Sequence, residues 1–84
     1  MGTVADDIRV LSAHRQCGDH GQRLMEHLLK HAKDGLVLAE WVGAFNRDLK
    51  RDDVRWGPSA WECLSKHRLI EMVGDDVRVL PPSP

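Results

Sequence analysis

Apolar residues return at every third or fourth position between Leu24 and Ala32: Leu24, Met25, Leu28, Leu29 and Ala32. That period predicts a helix with one buried face. Lys33-Asp34-Gly35 supplies the stop, with Gly35 as the C-terminal cap. Leu36-Val37-Leu38 is short and apolar and predicts a small strand or an extended entry. A second helix is expected from about Ala39, with Trp41, Val42, Phe45 and Leu49 on one face. It runs out in the charged stretch from Arg47 to Asp53. Gly57-Pro58-Ser59 opens a third helix, because a proline in the first turn lacks only an N–H that would be unpaired there anyway. Ala60, Trp61 and Leu64 give that helix its apolar face. Leu69 to Val73 reads as a strand and Gly74-Asp75-Asp76 as a turn. In the returning strand, Val77 and Val79 point to one face and Arg78 to the other.

The predicted order is helix, short strand, helix, helix, strand, turn, strand. Its fold class is α+β, mainly α: a winged helix, the helix-turn-helix variant with three helices and a C-terminal β-hairpin wing. An isolated hairpin is at best marginal, so this one must pack on the helices, and its inward positions are accordingly Val and Leu. The ends read differently. Residues 1–20 are expected to be a flexible lead-in or a short extra helix, with Ile8, Val10 and Leu11 their only apolar group of note. Residues 21–80 form the winged-helix domain. Residues 81–84, Pro-Pro-Ser-Pro, have the composition of a linker leading into a longer protein.

Composition narrows the classes. Eighty-four residues make one domain or part of one. No apolar run approaches the roughly 20 residues of a membrane span, and Asp6, Asp7 and Arg9 break up any signal-peptide core. Cys17 and Cys63 sit in no disulfide framework and read as free thiols in a reducing compartment, cytoplasmic with the nucleus as the alternative. Twelve basic and 13 acidic residues give a net charge of −1, whereas nucleic-acid modules are usually clearly basic. Three tryptophans, Trp41, Trp56 and Trp61, call for core positions or a binding surface.

Residues 24–80 resemble a LOTUS (OST-HTH) domain. The resemblance rests on Leu24 to Leu29, Gly35-Leu36-Val37-Leu38, Trp41 with Phe45, the pair Trp56-Gly57, Leu64, and Met72-Val73 through Val77-Arg78-Val79-Leu80. It covers about two-thirds of the chain, and many winged helices share most of it. The chain departs from the family in having Trp56 rather than Tyr or Phe before the glycine. It departs again in the polar Ser65-Lys66-His67-Arg68 and in the charge of Lys50 to Arg55. The resemblance implies an RNA-regulatory setting, with binding of G-rich or G-quadruplex RNA or docking of a DEAD-box helicase. Helicase docking in that family uses an extra C-terminal helix, and Pro81-Pro82 stands where it would begin.

Candidate chemistry falls into four groups. The first is the basic cluster Arg47, Lys50, Arg51 and Arg55 with Trp56, between the second and third helices, where phosphate contact and base stacking would take place. Asp48, Asp52 and Asp53 offer the simpler reading of a solvated, self-neutralised loop. The second comprises Ser59, Lys66, His67, Arg68 and Arg78 on the third helix and wing, although cations at a helix C-terminus also serve the helix dipole. The third is metal binding by His14, Cys17 and His20 with Cys63, which lacks the usual paired-cysteine spacing of a zinc site. His27 and His31, four apart, read as ordinary surface histidines. The fourth is catalysis. Neither a phosphate loop nor a nucleophile beside a His and acid pair is present, so no enzyme, cofactor or small-molecule substrate is expected.

Three functions compete. The leading expectation is a non-catalytic module that binds RNA through Arg47, Lys50, Arg51, Arg55, Trp56, Ser59, Lys66, Arg68 and Arg78. The alternative is a protein-docking module, for a helicase or another partner or as a homodimer. The third is a fragment of a DNA-binding transcription factor, disfavoured because Ser59 to Lys66 holds no Arg, Asn or Gln to read bases and Glu62 repels phosphate. An exposed Trp56 ringed by Arg51, Arg55 and Lys66 would favour nucleic acid; an exposed apolar patch ringed by acids would favour docking.

Overall fold

The computed structural model describes residues 4–51 and 57–81. Their elements are α1 (Val4–His31), β1 (Leu36–Val37), α2 (Ala39–Arg51), α3 (Gly57–Lys66), β2 (Ile70–Val73) and β3 (Asp76–Val79). This is the expected α+β, mainly helical order, with three helices and an antiparallel sheet in the layout of a winged helix. The sheet has three strands in the order β1-β3-β2. The small strand Leu36–Val37 thus pairs on the hairpin, Leu36 opposite Arg78 and Val37 opposite Val77. That third strand gives the hairpin the support a lone pair of strands lacks.

Each terminus of these elements has a local cause. After α1, Asp34 (φ 54°) and Gly35 (φ 79°) both take the left-handed conformation. The turn they make lets the Val79 amide donate to the Gly35 carbonyl at 2.7 Å. The backbone amide of Ala39, at the start of α2, donates to the Asp76 carboxylate at 2.8 Å, which ties that helix start to the hairpin. The turn between β2 and β3 places Gly74 at φ 65°.

The core lies between the second half of α1, α3 and the inner face of the sheet. Leu24, Met25, Leu28, Leu64, Val37 and Val77 are fully buried. Ala60, Ile70, Leu69 and Val79 complete the cluster. The alternation in β3 is as the pattern predicts, with Val77 and Val79 inside and Arg78 outside. Removing each large aliphatic side chain from water contributes about 1.5–3 kcal/mol.

Residues 4–20 are helical and belong to α1. The stretch is the first arm of the same helix, neither a lead-in nor a separate element. Gly18 divides α1 into two arms, residues 4–17 and 19–31, with φ 70° and ψ −161°, a conformation open in practice only to glycine. The arms pack against each other near this bend. A side chain at Gly21 would collide with the Cys17 Cβ and lie 3.0 Å from the Ala13 carbonyl oxygen. The first arm is also held to the far end of the chain. Arg9 pairs with Asp6 at 2.9 Å and donates through Nε to the Leu80 carbonyl at 3.0 Å.

One expectation about the cysteines is corrected. Cys17 and Cys63 are not free thiols but a disulfide, with Cα atoms 5.9 Å apart. They are 46 positions apart in sequence, and only the packing of α1 against α3 brings them together. A sequence with two cysteines carries no sign of that approach. Among the described residues no helix is long and apolar enough to cross a membrane.

Candidate interaction surface

The surface of α3 facing away from the core is built by helical spacing. Ser59, Glu62 and Lys66 lie three and four positions apart and are all exposed, so they form one stripe. The proposed phosphate contacts Ser59 and Lys66 therefore have a carboxylate between them. Beside this stripe α3 meets β2. Trp61, Glu62, Ser65 and Lys66 from the helix and Met72 from the strand line a shallow groove. Its floor is apolar. Met72 keeps 53 % of its surface exposed although its strand register places it opposite the buried Val77. The groove exists because β2 reaches past the end of the core: Ile70 is buried, whereas Glu71, Met72 and Val73 are not.

The other basic residues of the second group are spread out. Lys66 closes α3, and Arg68 follows in the turn to β2 with φ 59°. The Arg68 amide donates to the Ser65 carbonyl at 3.1 Å, so the turn is set by backbone bonding. Arg78 is exposed on the solvent face of β3, directly across from Glu71. His67 is exposed. Lys66 thus has Glu62 beside it on α3, and Arg78 has Glu71 across from it in the sheet.

Of the first group, Arg47 is exposed on α2. Lys50 and Arg51 fall in the last turns of α2, with their side chains outside the described residues. Arg55 and Trp56, the proposed stacking centre, also lie outside them, as do Asp52 and Asp53.

The histidines are less ordinary than their spacing suggests. His31 stacks on Trp41 with ring centroids 4.0 Å apart and planes 11° from parallel. His27 lies 4.8 Å from His31, and its Nε2 is 3.1 Å from the Trp41 carbonyl oxygen. Both rings are half-buried and fasten the end of α1 to the start of α2. Trp41, still 39 % exposed, borders a second groove with Leu36, Leu38, Lys33 and Glu40. Sequence reasoning missed this cluster. Its signal was His27 and His31 on one helix face and a tryptophan just past the intervening strand.

The zinc alternative is corrected together with the thiols. Cys17 and Cys63 are bonded to each other, and His14 Nδ1 lies 3.3 Å from the Asp19 carboxylate. Among the described residues no group of three or more candidate ligands gathers.

No family model matches the chain, and no curated protein or solved structure matches it either.

Proposed function

We propose that this chain is a non-catalytic winged-helix module that docks a protein partner through the groove between α3 and β2. The observation that supports it best is the composition of that groove. Trp61 and Met72 offer apolar surface, and the rim carries Glu62 and Lys66, one charge of each sign. Aromatic and methionine side chains are enriched at protein interfaces, and Met adapts its shape to what it meets. A mixed rim of this kind suits a peptide segment with an apolar side chain flanked by charges of both signs. It suits a polyphosphate poorly, because Glu62 stands within the stripe that phosphates would follow. The disulfide points the same way. Paired cysteines fit an oxidising compartment, and the cytoplasmic or nuclear location argued from free thiols loses its basis.

The test is a pair of variants read by capture and calorimetry against partners from the source organism. Met72→Glu and Trp61→Ala should each abolish capture while leaving the far-ultraviolet circular dichroism unchanged. Capture unaffected by Met72→Glu would remove the groove from the function.

RNA binding is the second reading, favoured by the LOTUS-like sequence positions and by the exposure of Ser59, Lys66, Arg68 and Arg78. It predicts saturable binding of a G-quadruplex RNA that falls steeply with salt. Fluorescence anisotropy at two salt concentrations, with Arg55→Ala and Trp56→Ala as controls, decides it. No binding at tens of micromolar protein would end that reading.

A further inference from the structure

The first arm of α1 presents a surface that the groove does not involve. Val4, Ile8 and Leu11 are 77 %, 42 % and 64 % exposed. Their spacing of four and three puts them on one helix face. The arm's inward positions, Val10, Ala13 and Cys17, already pack on the core. The apolar stripe is therefore additional to what the fold needs.

Two opposite charges stand on the same face, Asp7 near its N-terminal end and Arg15 near its C-terminal end, both exposed. Asp6 is paired with Arg9, and His14 with Asp19. Asp7 and Arg15 are in no ion pair among the described residues. Glu26, from the second arm, lines a shallow groove together with Asp7, Val10 and Leu11, so a second carboxylate stands beside Asp7.

We propose that this face pairs with the same face of a second copy of the chain, antiparallel about a two-fold axis at Leu11. Position arithmetic makes the charges self-complementary, with Leu11 the apolar side chain set against its own copy. Leu11 then meets the partner's Leu11. Asp7, four positions before the axis, meets the partner's Arg15, four positions after its own. Ile8 meets the partner's His14. Val4 falls on the partner's Gly18, where an added Cβ would meet nothing within 4 Å. A parallel pairing would set Asp7 against the partner's Asp7, so charge selects the antiparallel arrangement. The resulting interface is isologous and closes as a dimer. The apolar stripe is short, which places the association in the weak, transient class that buries less than about 1,200 Å². This surface is independent of the α3–β2 groove.

Sedimentation equilibrium of the purified chain from micromolar to millimolar concentration tests the proposal. A reversible monomer–dimer equilibrium is expected. Leu11→Ser should weaken it by at least about ten-fold. Asp7→Arg and Arg15→Asp should each weaken it as well, and combining them should restore it, because the opposed charges are then exchanged. Met72→Glu should leave it unchanged. A mass that stays monomeric throughout, or a dimer indifferent to both single charge changes, overturns the proposal. All these positions are exposed, and a thermal melt of each variant within a few degrees of the parent confirms that the fold is intact.

Discussion

The two arms of α1 are consecutive turns of one helix with opposite fates. In residues 19–31 the apolar stripe of Leu24, Met25 and Leu28 disappears completely into the core. In residues 4–17 the stripe of Val4, Ile8 and Leu11 stays largely in water. Spacing is equally helical in both, so periodicity alone does not decide which face of a helix finds a partner. The decision comes from Gly18, Gly21 and Cys17. The bend turns the first arm, the missing side chain at Gly21 lets the arms touch, and the disulfide fixes the arm on α3.

Leu28→Ala breaks the comparison hardest. It should cost about 3–5 kcal/mol, because a fully buried leucine leaves a cavity the core cannot close. Chemical denaturation measures it directly. Reducing the disulfide, or replacing Cys17 and Cys63 by serine, should cost about 2–4 kcal/mol by freeing the unfolded chain from a long closed loop. Amide exchange should then rise first in residues 4–16, whose attachment is otherwise Arg9 and a few apolar contacts. Gly21→Ala should cost about 1–3 kcal/mol, since the added carbon forces the arms apart. A thermal melt shows the loss, and crystallography would show a changed angle at Gly18. Leu11→Ala should change stability by less than about 0.5 kcal/mol. An equal loss from Leu11→Ala and Leu28→Ala would mean that the first arm is buried after all.

Much of the fold was legible because its signals are local. Leu24, Met25 and Leu28 carry the helical period, and Val77-Arg78-Val79 alternates as a half-buried strand must; Gly35 marks the stop, but as part of the Lys33–Leu36 turn that follows the helix end at His31 rather than as its cap. The helical state of residues 4–20 was harder to read. Asp6, Asp7, Gly18 and Asp19 dilute the apolar pattern, and what stabilises the arm is tertiary: Arg9 on the Leu80 carbonyl and Cys17 on Cys63. The disulfide and the His31–Trp41 stack were invisible for the same reason, since each joins segments that meet only in the folded chain. At the candidate surface, residue type pointed to cations, and sequence order concealed their neighbours. Glu71 sits seven residues before Arg78 yet directly across from it, because a hairpin makes neighbours of positions equidistant from its turn.

The Cys17–Cys63 bond also decides what happens when the chain is cut. The Asp34-Gly35 turn, with Asp34 exposed, lies inside the ring that the bond closes. A protease that nicks the chain once there leaves a single molecule of almost unchanged mass, whose two pieces come apart only when thiol is added. A nick at the Gly74-Asp75 turn lies outside the ring and leaves β3 held only by its pairing with β1 and β2 and its packing on the core, so denaturant frees it without any reductant.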